Sequence, residues 1–233
     1  MARERMAKGQ RLDLDAAARL VRPRDTVLFG FVAGQPAGLL EAFGGRTDLE
    51  DVVLYTGLLM RPYRFLQNPK VRVVSGFFGP IDRLAREAGA RVSYQPADFS
   101  TLERLALRIR PRVVLAVTSP PDADGFLSFG VHAGATYRPF LQAARDPERL
   151  AIAEVNPKMP RVAGDPDLGG NRVHVSEVDA LVEHDETLVT IPDAQPTPED
   201  VTIAKLVAER IPPGATLQFG IGAIPDEIGS LLA

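Results

Sequence analysis

The chain has 233 residues, 45 % of them hydrophobic and 24 % charged, with a formal net charge of −3. That balance fits a globular protein and supplies no basic field for nucleic acid or an anionic membrane surface. There is no cysteine, so thiol nucleophiles, disulfides and cysteine-ligated metals are excluded.

The opening MARERMAKGQRLDLD is charged and lacks the apolar stretch of a secretory signal. No apolar run approaches the length of a membrane span, and the expectation is a cytoplasmic protein with neither membrane nor nucleic acid as partner. Five continuous β-branched runs then read as buried strands: Thr26–Val32, Asp51–Gly57, Val71–Gly76, Pro111–Ser119 and Leu150–Asn156. Their continuity suits a parallel sheet covered on both faces. Between them lie the helix-like segments LDLDAAARLV, IDRLAREAG, STLERLALRI and GATYRPFLQAAR, with Ser100 and Glu103 spaced as a capping box. The alternation predicts βαβ units in a three-layer α/β fold built on an open, mostly parallel sheet.

From Gly164 to Pro198 the pattern loosens. RVHVSEVDALVEHDETLV reads as short strands with turns, and Pro192–Asp200 as a proline- and acid-rich linker. The linker ends on a helix start: Thr197 as cap, Pro198 at the first helical position, Glu199 and Asp200 in the first turn. VTIAKLVAERI follows as an amphipathic helix. A repeat then emerges. Thr26, Phe29, Gly30 and Ala33 fall opposite Thr216, Phe219, Gly220 and Ala223 at one constant offset, and each unit reads as helix, proline turn, strand, glycine loop, helix. The implied organisation is an α/β domain over residues 1–196 and the first elements of a similar second domain over 197–233.

Glycine loops between a strand and a helix start favour anions, through close backbone approach, free first-turn amides and the helix dipole. Gly30–Pro36 and Gly220–Pro225 both have this layout, and a tight turn without a ligand is the plainer reading of each. Neither loop has the dinucleotide or Walker spacing, and no Lys-Ser/Thr follows, which speaks against nucleotide hydrolysis. Ser119–Gly130 and Glu154–Asp165 each follow a strand, so Ser119, Pro120, Asn156 and Met159 are candidates to line a crevice at the strand ends. Lys158 and Arg161 suit either phosphate or solvent. His132, His174 and His184 lack metal spacing, and Ser119 and Ser128 lack a nucleophile elbow. Carboxylates are plentiful, but none stands out in an apolar pocket with a partner, and the residues alone name no nucleophile and no metal site.

The segments FGFVAGQP, SPPDADGFLSFG, AEVNPKMPRVAGD and LQFGIGAIPDEI, in this order and spacing, resemble the N-terminal half of the acetyl-CoA hydrolase/transferase family. That family includes the 4-hydroxybutyrate and acetate CoA-transferases of the class I CoA-transferase group. The resemblance implies two similar α/β domains with the active site between them. It also implies covalent catalysis in which a second-domain glutamate attacks an acyl-CoA, forms a glutamyl-CoA thioester, and passes CoA to a carboxylate or to water. Coenzyme A is then a substrate, and no covalently bound cofactor is expected. By the same resemblance Gly220, Ile221, Gly222, Ala223 and Ile224 contact CoA, and Gly34, Gln35 and Pro36 face the acyl group and its oxyanion. The family's glutamate falls beyond Ala233, since Glu227 follows the glycine loop too closely to match. The expectations are therefore inactivity of this chain alone, a C-terminal half supplied as a separate subunit or as further polypeptide, and a homo- or hetero-oligomer formed through apolar surface after Thr197. A non-catalytic module binding CoA, another phosphorylated ligand or a partner chain is the alternative. A sugar-phosphate isomerase lacks its required base and carboxylate pair.

Overall fold

Eight strands form one sheet in the order β1-β10-β8-β6-β2-β3-β4-β5, every neighbouring pair parallel. They are β1 (Gln10–Arg11), β2 (Thr26–Phe29), β3 (Val52–Thr56), β4 (Val71–Ser75), β5 (Val92–Tyr94), β6 (Val113–Thr118), β8 (Leu150–Val155) and β10 (Ala180–Glu183). A small antiparallel pair, β7 (Phe126–Ser128) with β9 (Arg172–His174), stands apart from it. The computed structural model describes residues 7–165, 167, 170–190, 192 and 195–233. It divides into two compact units, Met1–Val189 and Thr190–Ala233.

Pleating explains why the central strands read as unbroken apolar runs. Val27, Leu54, Val73, Val113 and Ile152 enter one core, with Ala17 and Ala18 of α1 (Leu14–Ala18) and Leu39, Leu40 and Phe43 of α2 (Ala37–Gly44). Ile81 and Ala85 of α3 (Pro80–Glu87) pack onto that core. Alternate residues, Leu28, Val114, Ala116, Ala151 and Ala153, enter the other core. There they meet Ala106 of α4 (Phe99–Ile109) and Phe140, Ala143 and Ala144 of α5 (Tyr137–Arg145). The result is three layers, helix–sheet–helix, as the alternating pattern predicts.

Three local expectations are corrected. β2 stops at Phe29, not Val32, because Val32 takes a left-handed φ of 47°, outside any strand and unusual for a β-branched residue. Asp98, not Ser100, caps α4 by accepting from the Thr101 N–H at 2.6 Å; Ser100 falls in the first turn and donates to Asp98. The strand expected at Thr216–Phe219 is not formed. A strand needs a neighbour to take its amides and carbonyls, and the second unit holds, among its described residues, only the helices α6 (Pro198–Ala208) and α7 (Ala223–Leu232). The start of α6 is as read: Thr197 accepts from the Asp200 N–H, Asp200 accepts from the Thr197 N–H at 2.9 Å, and Pro198 is first in the helix. Part of the expected linker, Asp193 and Ala194, and the opening residues 1–6 lie outside the described residues.

Candidate functional site

With every strand of the sheet parallel, all their carboxyl ends lie along one edge. The chain runs outward from β2 through β3 and β4 to β5, then returns to place β6, β8 and β10 on the other side of β2. Loops leaving β2 and β6 therefore diverge, and a crevice opens between them.

The β2 loop is held in an unusual shape. Val32–Gly34 form one tight turn, with the Gly34 N–H donating to the Phe31 carbonyl at 2.7 Å. The Phe31 N–H donates to His132 Nε2 at 3.1 Å, which places the ring proton on Nδ1. Partial burial lowers the His132 pKa from 6.5 to about 4, so the imidazole is neutral at neutral pH and serves as a half-buried acceptor. A Cβ on Gly34 would lie 2.5 Å from His132 Cδ2, and one on Gly30 would lie 2.8 Å from the Gly34 carbonyl oxygen. These two glycines admit the histidine ring and each other. Gly34→Ala is expected to cost about 2 kcal/mol of stability by overpacking, and much less in a His132→Ala background. Urea unfolding of the two singles and the double checks this, and additive losses would refute a shared cause.

Gln35 is buried and clamps the next turn. Its amide donates to the Leu58 carbonyl at 2.9 Å, and its Oε1 accepts from the Met60 N–H and the Tyr63 hydroxyl. Pro36 then caps α2 without a side-chain bond. The first-turn amides are already occupied: Glu154 of β8 accepts from the Leu39 N–H at 2.8 Å and the Gly38 N–H at 3.4 Å. A carboxylate from a distant strand does the work of an N-cap side chain. Glu154 is 1 % exposed, and burial raises its pKa from 4.5 to about 7, opposed by the Leu39 amide, His184 and the Gly38 amide. The expectation that no carboxylate sits in an apolar pocket with a partner is thereby corrected.

Around Glu154 the chain gathers Arg61, Tyr63 and Glu186, which sequence reasoning left unassigned, beside Asn156 and Gln35, which it had named. Arg61, Tyr63, Glu154, Asn156 and Glu186 line one pocket with Val32, Ala33 and Gln35 of the β2 loop. Glu186 lies 3.5 Å from both Arg61 and His184; burial works against its charge, but the Arg61 guanidinium and the His184 contact outweigh that and hold its carboxyl below the usual range. Burial raises the Tyr63 hydroxyl well above its ordinary value. The ring of His184 rests where a Cβ of Gly38 would be, 2.7 Å from it. One signal was legible: Glu154 is the lone acid in the apolar strand LAIAEV.

Of the four crevice candidates, Asn156 lines this pocket. It is buried, and its amide donates to the Glu186 carbonyl at 2.8 Å, tying the β8 loop to the β10 loop. Ser119 is buried and its hydroxyl accepts from the Ser128 N–H. Pro120 is exposed, its carbonyl accepting from Arg161 at 2.8 Å. Met159 is buried, filling the space a Gly130 side chain would take. Arg161 also pairs with Asp122 and bonds the Phe126 carbonyl, and Lys158 pairs with Asp185. Both cations are thus engaged within the chain. His174 bonds Ser176 and the Asp124 carbonyl. Among the described residues no group of three or more His, Asp or Glu could hold a metal ion, and no helix is long and apolar enough to cross a membrane.

In the second unit the loop Gly220–Ile224 leads into α7, whose cap Gly222 takes φ 126° and ψ 173°, a conformation open essentially to glycine alone. A Cβ there would meet nothing within 4 Å, and Ile221 is 86 % exposed. Within the second unit the backbone of this bend is uncovered. Gly220, Ile224 and Pro225 also border an apolar trough with Val207, Phe219 and Ile228. Glu227 sits within α7.

Residues 16–192 match the family model described as the acetyl-CoA hydrolase/transferase N-terminal domain. The chain is 30 % identical over 228 residues to a butyryl-CoA:acetate CoA-transferase of Anaerostipes caccae, covering 94 % of this chain and 49 % of that one. It is 31 % identical over 238 residues to a 4-hydroxybutyrate coenzyme A transferase of Clostridium kluyveri, covering 97 % and 51 %. Among solved structures it resembles RipA from Yersinia pestis, with a TM-score of 0.82 and 29 % identity over 96 % of this chain and 53 % of that one. The chain spans about half the length of the curated relatives it matches.

Proposed function

Because the chain belongs to the acetyl-CoA hydrolase/transferase family, we propose that it forms the N-terminal part of an enzyme that moves CoA between an acyl-CoA and a carboxylate. The observation that carries this reading is the family match over residues 16–192, joined to a crevice at the strand carboxyl ends lined by the Val32–Gln35 loop. The names of the relatives, acting on butyryl-CoA with acetate and on 4-hydroxybutyrate, favour short acyl groups.

In this reading the reacting acid is a glutamate on polypeptide beyond these residues, as the half-length coverage of the relatives suggests. Its carboxylate attacks the thioester carbonyl, the CoA thiolate leaves, and an acyl-glutamyl anhydride remains. The thiolate returns to the glutamyl carbonyl, releasing the first carboxylate and leaving a glutamyl-CoA thioester. The acceptor carboxylate then reverses the sequence; water in its place gives hydrolysis. Gly34, Gln35 and Pro36 border the acyl group. The bend Gly220–Ile224 offers amides at a helix N-terminus to the nucleotide part of CoA. Assembly with the glutamate-bearing part, as a homo- or hetero-oligomer in the cytoplasm, completes the site.

The test is acyl-CoA:carboxylate transfer by the purified chain, alone and with the glutamate-bearing polypeptide. Transfer is expected only in the second case; no transfer in the completed assembly despite CoA binding would favour a non-catalytic CoA-binding module. Gly222→Val is expected to weaken CoA binding in that assembly at least tenfold. Nothing in the second unit crowds the new side chain, and the expected cause of the loss is backbone strain. Gly214→Val strains a second glycine with positive φ, 78°, outside the bend and is the control. Equal CoA affinity in the two variants would remove the bend from the CoA site.

A further inference from the structure

The sheet face carrying α4 and α5 is covered unevenly. Register places Leu28, Tyr55, Val74 and Ser93 in one row across β2 to β5, and Thr26, Val53 and Arg72 in the row before it. α4 connects β5 to β6, parallel strands of one sheet, and so runs back along them. Its Leu102 seats over Gly76, where a Cβ would lie 2.4 Å from the leucine methyl. Beside the helix a trough of about 340 Å³ remains open, within the size range of small-ligand sites.

The trough is chemically two-ended. Leu102, Leu105, Ala106 and Ile109 form one wall, and Tyr55 and Val74 belong to its floor. The seven steps from Leu102 to Ile109 give the wall a length of about 10 Å at 1.5 Å per residue. Arg72 lines the trough two residues before Val74 on the same face, toward the Ile109 end. Among the described residues the Arg72 guanidinium has no ion pair or hydrogen bond, and neither do the side-chain polar atoms of Tyr55 and Ser93. An apolar slot with an unpaired guanidinium at one end and two hydroxyls on its floor complements a molecule with an apolar tail and one planar anionic head.

We propose that this trough binds an amphipathic monocarboxylate, its chain along the α4 wall and its carboxylate on Arg72. The site lies on the sheet face, apart from the Glu154 pocket, and is independent of the CoA-transfer reading. Titration calorimetry of the chain with octanoate and with 1-octanol tests it. Octanoate is expected to bind about tenfold more tightly than octanol, the scale of one charge-assisted contact. Arg72→Gln is expected to erase that difference, and Leu105→Trp, which fills the slot, to abolish binding of both. Circular dichroism confirms that each variant is folded. The proposal falls if octanol binds as well as octanoate, if either folded variant binds octanoate as the parent does, or if no binding is seen at millimolar ligand. It also falls if sedimentation shows that Leu105→Trp dissociates an oligomer, since the occupant would then be a second copy of the chain.

Discussion

A chain carrying Glu154→Ala is expected to lose about 3 kcal/mol of stability at pH 5, and Glu154→Gln to flatten the dependence of stability on pH between 4.5 and 7. The alanine leaves a cavity and strips the buried Gly38 and Leu39 amides of their acceptor, each a known cost. For the pH effect the sign follows from the direction of the shift. The folded carboxyl titrates near 7 rather than 4.5, so between those values the folded state holds the proton more tightly than the unfolded chain. Stability from this group is therefore greatest below pH 4.5 and declines as pH rises to 7, by on the order of 3 kcal/mol in all. Glutamine is neutral throughout and removes that decline. The measurement is urea unfolding of the unsubstituted chain and of Glu154→Gln from pH 4.5 to 8, read as the difference between them, which subtracts the other titrating groups. A constant difference across that range would mean that Glu154 does not carry a raised pKa.

The second large effect is expected at the opposite edge of the sheet. Asp25, in the turn before β2, forms a two-pronged ion pair with Arg112, in the turn before β6, and accepts from the Arg22 N–H at 2.6 Å. Arg112 also bonds the Leu20 carbonyl. The pair joins the starts of the two strands between which the candidate crevice opens. Asp25 is 7 % exposed, so Asp25→Ala leaves a largely buried guanidinium without its counter-charge and is expected to cost about 3 to 5 kcal/mol. Asp25→Ala with Arg112→Leu removes both charges and is expected to recover much of that loss, because the orphaned charge is the main penalty. Thermal or urea unfolding of the two chains decides; a double variant no more stable than the Asp25 single would show that packing, not charge, holds this corner.

The sheet was legible because its physics is local. Runs such as VVLAVT and LAIAEV have both faces apolar, which only a covered parallel sheet tolerates. The alternating helices dictate that architecture. Short elements were not legible: β5 and β7, three residues each, carry too little periodicity to stand out. The strand expected at Thr216–Phe219 failed for a different reason, since a strand's hydrogen bonds are made by its neighbours rather than by its own residues.

The candidate site divides the same way. By itself the sequence determined the fold class, the family, the helix start at Thr197 and the glycine loops, all of which depend on residues adjacent in the chain. Only the tertiary structure decided what fills those loops. Phe31 and His132 are 101 positions apart, and Leu39 and Glu154 are 115 apart. The glycines at 30 and 34 make room for an imidazole, and the first-turn amides of α2 are taken by a carboxylate, because strand order brings β8 and the β6–β8 connection beside the β2 loop. Burial then gives Glu154 and His132 their shifted titration, and burial is set by the packed chain as a whole.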